Sequence, residues 1–250
     1  MERWVGKVAV VTGASAGIGE SIAEKLVKAG VLVVGLARRV EKIEANAKKL
    51  SNCKGKLYAV KCDMTKEEDI VNAFQWTTKN VGLVHVLVNN AGGNPGTNLI
   101  DGDTSRWRQC FETNVIGLLS ASREAIKIMR ANNIEGQIVN ISSVLAHVNM
   151  YFPTVNVYAA TKHALNNLND VIRQELNMNK LNIKVCSVSP GAVDTEFIND
   201  DNCPAAMRAM FDRTTFLKAE EVADTVMYVI GTPPSVHISE MIVRPPFSMC

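Results

Sequence analysis

The sequence predicts an α/β domain with parallel, buried strands, and three observations point there. Short apolar runs rich in β-branched residues, among them 6–12 and 31–37, have the continuous pattern of strands covered on both faces. Stretches with helical spacing separate these runs, so strand and helix alternate down the chain. A glycine-rich loop joins the first run to the first helix, the βαβ arrangement that sets a helix amino terminus over a tight turn. With 250 residues and 47% hydrophobic composition, the chain fits one domain over 1–250 better than two.

The first loop reads Thr12-Gly13-Ala14-Ser15-Ala16-Gly17-Ile18-Gly19. Ile22, Ala23, Leu26 and Val27 then recur at helical spacing until Gly30 closes the helix. The strand at 31–37 ends in Arg38-Arg39, and a polar helix follows at 40–51. A strand at 56–62 ends at Asp63, and 66–80 is an amphipathic helix. The fourth strand carries Val86-Leu87-Val88 into Asn89-Asn90-Ala91-Gly92-Gly93, which reads as a turn or as the border of a ligand crevice. One long helix is expected over 104–131, with Asn114 inside it against the usual preference of that residue. The fifth strand, GQIVNIS, delivers Ser142 and Ser143. A helix at 155–178 holds Tyr158 and Lys162, and a strand at 183–189 ends in Pro190-Gly191. Residues 194–217 mix acids with Met207, Met210, Phe211 and Phe216 and read as a partly helical flap. A helix at 219–230 and a last strand near 241–245 follow.

Composition removes several function classes. The formal charge is +2 and the basic residues are scattered, so nucleic acid is not an expected partner. The longest apolar runs are far too short to span a bilayer, and the opening residues lack a signal-peptide layout. Six cysteines without a CxxC pair suggest reduced thiols and a cytoplasmic setting. His85, His147, His163 and His237 stand apart from one another, so no metal site is expected.

Chemistry concentrates at two places. Tyr158 and Lys162 are four apart and share a helix face, so phenol and ammonium point into one pocket. A free tyrosine titrates near pH ~10, and a nearby fixed cation lowers that value, which makes the pair a usable proton donor and acceptor. Ser142 and Ser143 are candidate donors to a substrate oxygen. At the end of the second strand no acidic residue is present for a ribose. Arg38 and Arg39 instead offer two cations where a 2′-phosphate would lie, with the Ser15 hydroxyl beside them. These features point to NADP(H).

Taken together, TGASAGIG, NNAG, Asn114, Ser143, YAATK and PGAVDT resemble the short-chain dehydrogenase/reductase family over roughly residues 5–245. The resemblance implies a doubly wound Rossmann fold, with a mostly parallel seven-stranded sheet and helices on both faces. It implies that Gly13, Gly17, Ile18 and Gly19 wrap the pyrophosphate, that Arg38 and Arg39 take the 2′-phosphate, and that Asp63 meets the adenine. Asn90, Ala91 and Gly92 border the ribose and nicotinamide, which Pro190, Gly191 and Thr195 orient. Ser143, Tyr158 and Lys162 form the catalytic set, with Asn114 holding a water in the proton relay. It also implies a homodimer or homotetramer built on the helices near 104–131 and 155–178.

The activity so implied is NADP(H)-dependent interconversion of an alcohol and its aldehyde or ketone. Met150, Tyr151, Phe152, Met207, Met210 and Phe211 suggest a lipophilic substrate such as an isoprenoid alcohol, a steroid ketone or a xenobiotic carbonyl. Alternatively they pack the flap or a subunit interface. Two other readings stay open: a 3-oxoacyl-thioester reductase, with Arg106 and Arg108 as a sparse docking patch, and a cofactor-binding sensor or scaffold without turnover.

Overall fold

The computed structural model describes residues 1–149, 155–199 and 216–246. The first half alternates β1 (Val8–Thr12), α1 (Gly17–Lys28), β2 (Leu32–Ala37), α2 (Val40–Lys49), β3 (Lys56–Lys61), α3 (Glu67–Asn80) and β4 (Val84–Asn89). The second half adds α4 (Thr104–Phe111), α5 (Gly117–Ala131), β5 (Gly136–Ile141), α6 (Asn156–Met178) and β6 (Ile183–Pro190). After it come the short pieces β7 (Val193–Asp194), α7 (Glu196–Asn199) and β8 (Leu217–Lys218), then α8 (Ala219–Gly231) and β9 (Glu240–Val243).

Seven strands form one sheet in the order β3-β2-β1-β4-β5-β6-β9. Every pairing in it is parallel, so the sheet is parallel throughout where the resemblance implied mostly parallel. The strand order reverses direction between β1 and β4, and the crevice at that switch is where such sheets bind ligands.

The period-two geometry of the strands explains why their sequences are apolar without interruption. In β1, Ala9 and Val11 face one layer, packed with Ile22 and Leu26 of α1 and Val222 and Val226 of α8. Val8 and Val10 face the other, with Ile70 and Phe74 of α3 and Ala121 and Ala125 of α5. Strand β4 divides the same way, Val86 and Val88 to the first layer and Val84 and Leu87 to the second. Burying a side chain such as Phe74 contributes about 1.5–3 kcal/mol, and truncating it to Ala costs about 3–5.

The single helix expected over 104–131 is broken. Asp103 caps α4 by accepting from Ser105 N at 2.7 Å, but Glu112–Ile116 form a π turn before α5 begins at Gly117. The extra residue turns Asn114 inward to the Gly93 backbone while Ala121 and Ala125 keep facing the sheet. A side chain at Gly117 would stand 2.3 Å from Met64 O, which fixes how closely α5 approaches the end of β3.

Of the expected flap, the two ends are described: β7 and β8 pair in parallel, Val193 with Leu217 and Asp194 with Lys218. Residues 200–215, with Met207, Met210 and Phe211, lie outside the described residues, as do Met150, Tyr151 and Phe152. Among the described residues, no helix is long and apolar enough to cross a membrane, and no His, Cys, Asp and Glu cluster is arranged to hold a metal.

Candidate active site

A cleft of about 700 Å³ opens along the carboxyl ends of β1, β2, β4, β5 and β6. Its floor is the glycine loop. Gly13 has φ +67, and a Cβ there would lie 2.9 Å from Ala91 Cα. At Gly19 a Cβ would lie 2.3 Å from Asn90 Nδ2 and 2.4 Å from Gly13 O, so only glycine lets α1 approach β4 this closely. The loop is tied down from β4. Thr12 Oγ1 accepts from the main-chain N–H groups of Asn90 and Ala91, both at 3.0 Å, and Asn90 Nδ2 donates to the carbonyls of Thr12 and Gly13. Ala16, the N-cap of α1, has no side-chain oxygen to cap it, and the first turn of the helix lines the cleft with Gly17 and Ile18, where a helix amino terminus favours an anion.

At one end of the cleft lie Arg38, Arg39 and Asp63. The Asp63 carboxylate accepts from Thr65 N and Oγ1 at 3.0 and 2.9 Å. Burial works against its charge, but those hydrogen bonds and the cations of Arg38 and Lys66 outweigh it and hold the carboxyl below its usual range.

At the other end stand Ser143, Tyr158 and Lys162. Ser143 stands beside Tyr158 in the cleft and favours the ionised form of its phenol. Ser143 Oγ also accepts from Leu145 N at 3.1 Å, whereas the buried Ser142 hydroxyl has no hydrogen-bond partner among the described residues. This separates two serines that the sequence left adjacent. Lys162 is 5% exposed; it donates to Ile141 O at 2.8 Å, with Nζ 5.4 Å from the Tyr158 ring centroid. Burial pulls its pKa down to about 8, opposed by Cys110.

One expectation is corrected here. The sequence leads one to expect the Lys162 cation to lower the Tyr158 pKa; in this structure burial dominates and pushes the phenol up, with Ser143 offsetting only part of it. The i, i+4 argument suits exposed helix faces, where desolvation is small, and this pair is enclosed.

Asn114 sits behind the cleft wall. Its Oδ1 accepts from Gly93 N at 2.8 Å, and its Nδ2 donates to Gly93 O at 3.0 Å and Thr161 Oγ1 at 3.1 Å. Thr161 Oγ1 in turn donates to Tyr158 O at 2.6 Å, linking the π turn to the first turn of α6. Of the residues singled out from sequence, Ser15, Gly17, Ile18, Asn90, Ala91, Gly92, Pro190, Gly191 and Thr195 all line the cleft together with both ends just described. Gly19 and Asn114 support it from behind. Sequence reasoning missed Thr12 and Thr161, each a threonine among many, and the cleft-lining Cys110, whose thiol burial pushes up to about 11. It also left Phe197, whose ring lies 5.5 Å from that of Tyr158, as an unspecified part of the flap.

Comparison with known proteins gives the family. Residues 7–204 match the family described as short chain dehydrogenase. Farnesol dehydrogenase of Aedes aegypti is 44% identical over 98% of both chains. Dehydrogenase/reductase SDR family member 11 of Gallus gallus is 40% identical, again over 98% of both. A solved short chain dehydrogenase from Burkholderia cenocepacia in complex with NADP superposes with a TM-score of 0.85 at 27% identity, covering 97% of this chain and 98% of that one.

Proposed function

This chain belongs to the short-chain dehydrogenase family of oxidoreductases, and we propose that it is an NADP(H)-dependent enzyme interconverting a lipophilic alcohol and its aldehyde or ketone. The observation that carries the reading is Ser143, Tyr158 and the buried Lys162 gathered in one cleft with the Arg38–Arg39 pair. The cofactor fits the residues present: the amino terminus of α1 opens on the cleft, Gly13 and Gly19 have no room for a side chain, and two cations flank the end of β2. Solved structures of similar proteins in complex with NADP support the same choice.

When bound, NADPH supplies the hydride. Tyr158 gives its phenolic proton to the substrate oxygen as negative charge develops there, and Ser143 donates a hydrogen bond to the same oxygen. The Tyr158 phenol is protonated, as carbonyl reduction requires; burial raises its pKa and so weakens it as an acid, and its role rests on its place beside Ser143 and Lys162. Lys162 holds a positive charge under the site, fixed by Ile141 O. Asn114 orders the wall: its amide is spent on Gly93, Thr161 and Cys110, so a relay water at this position is held through the main chain. Leu145, Val155 and Phe197 give the Tyr158 end of the cleft an apolar lining, which supports a lipophilic substrate of the farnesol, steroid or xenobiotic-carbonyl kind.

We also propose one domain over residues 1–250 and a homo-oligomer. Phe111, Ile116 and Val171 stay exposed on the α4–α5 and α6 stretches, which supports assembly through those helices. The free thiols Cys53, Cys62, Cys110 and Cys186 support a reducing, cytoplasmic setting. The thioester reading draws less support, since Arg106 spends its guanidinium on the carbonyls of Pro95 and Gly96 at 3.1 and 2.9 Å.

The test is turnover of purified protein with NADPH or NADH against a panel of carbonyls, and with NADP or NAD against farnesol and steroid alcohols. A strong NADPH preference with turnover of apolar carbonyls is expected. Equal use of NADH would sink the 2′-phosphate reading, and NADPH binding without any turnover would favour a sensor.

A further inference from the structure

One carboxylate of this chain stands where an anion from outside is expected. Glu196, the first residue of α7, pairs with two cations that follow β2: Arg39 Nη2 lies 2.9 Å from its Oε2, and Lys42 Nζ lies 2.7 Å from its Oε1. Lys42 and Glu196 are 154 residues apart, so the fold and not local sequence creates the contact. Hydrogen bonds from Lys42 and Arg39 hold the Glu196 carboxyl below its ordinary range. The next side chain, Phe197, rests on Tyr158 with ring centroids 5.5 Å apart. Two consecutive residues of one short helix thus engage the two ends of the cleft.

We infer that Glu196 is an internal stand-in for the cofactor's 2′-phosphate, which displaces it from Arg39 and Lys42 on binding and thereby lifts Phe197 off Tyr158. The inference rests on the NADP(H) reading, and it adds Lys42 to the phosphate set and a competitor within the chain. A phosphate monoester carries a charge of about −1.5 to −2 and three acceptor oxygens, against one charge on the carboxylate. Both pairs are about half exposed and contribute little, so they yield to the stronger anion. Two anions on the same cations repel, so Glu196 leaves, and the backbone carries Phe197 with it. A ligand shifts such an equilibrium only through its different affinity for the two arrangements. The 2′-phosphate has that difference, because Glu196 blocks its cations; a nucleotide without the 2′-phosphate does not.

Calorimetric titration with adenosine 2′,5′-bisphosphate and adenosine 5′-monophosphate separates the possibilities. Wild-type protein is expected to prefer the bisphosphate. Glu196→Gln should bind it about fivefold tighter still, the worth of the two weak exposed pairs that no longer compete, with the monophosphate unchanged. In protein carrying Phe197→4-fluorophenylalanine, the fluorine resonance should move on addition of the bisphosphate and not of the monophosphate. Unchanged or weaker bisphosphate binding by Glu196→Gln, or a resonance indifferent to the bisphosphate, overturns the inference while the cofactor reading stands. Equal affinity of wild-type protein for the two nucleotides overturns the cofactor reading and this inference with it.

Discussion

Lys162 donates from Nζ to the carbonyl of Ile141 at 2.8 Å, which anchors a buried ammonium against the end of β5 with the Tyr158 ring centroid 5.4 Å away. The anchor fixes the cation's position, and burial makes its charge dependent on pH. With a pKa of about 8, Lys162 is charged at neutral pH and loses its proton as pH rises through that value. The dependence of kcat/KM for NADPH on pH reports the free enzyme. It should fall above pH 8, about tenfold per unit once the lysine is neutral, and a profile flat to pH 9.5 would contradict a required ammonium.

The two adjacent serines should behave differently. Ser143 lines the cleft beside Tyr158 and accepts from Leu145 N, while the Ser142 hydroxyl has no hydrogen-bond partner among the described residues. Ser143→Ala is expected to lower kcat by about 10²–10³-fold, the cost of one donor to a developing oxyanion. Ser142→Ala should leave kcat within about threefold, because no hydrogen bond is lost and small-to-moderate effects are the rule away from such contacts. Steady-state kinetics of the two variants decides it.

Asn114→Ala should destabilise the protein and not only slow it. The substitution strips the Gly93 N–H and the Thr161 hydroxyl of a buried partner, at about 1–3 kcal/mol by urea unfolding. Loss of activity at unchanged stability would mean that the π turn is not held by this side chain.

These sites differ in how far the sequence discloses them. β1, β2 and β4 were legible because buried parallel strands are apolar on both faces, and the glycine loop because Gly13 and Gly19 have no room for a Cβ. Ser143, Tyr158 and Lys162 stand out through motif spacing. The π turn at Glu112–Ile116 was not legible: one extra residue hardly disturbs an amphipathic pattern twenty-eight positions long, and only the misplaced Asn114 hinted at it. The direction of the Tyr158 displacement was missed because desolvation depends on packing from β5, α7 and the Ser143 turn, which spacing on one helix does not show. The Glu196 pairs with Arg39 and Lys42 join segments brought together only by the fold.

Alkaline pH should unfold the protein through its buried thiols. Burial pushes Cys62 and Cys186 to about 12 and Cys110 to about 11, whereas an unfolded thiol titrates near 9. The folded state therefore binds more protons above pH 9, and stability falls as pH rises from there toward 12. For Cys186 alone the loss at pH 10.5 is about 2 kcal/mol relative to pH 8. The difference in unfolding free energy between the two pH values, from urea titrations, should shrink in Cys186→Ala by about that amount, and an unaltered alkaline decline would show that the thiol does not drive it.

The central claim is that Tyr158 is the proton donor in a functioning oxidoreductase. Replacing it by Phe keeps the ring packed against Phe197 while removing only the hydroxyl. NADPH consumption with the best carbonyl of the panel, measured beside NADPH binding, is the direct test. Tyr158→Phe should lose turnover by about 10³-fold or more, with the binding constant for NADPH within about threefold of wild type. Undiminished turnover in that variant would contradict the account.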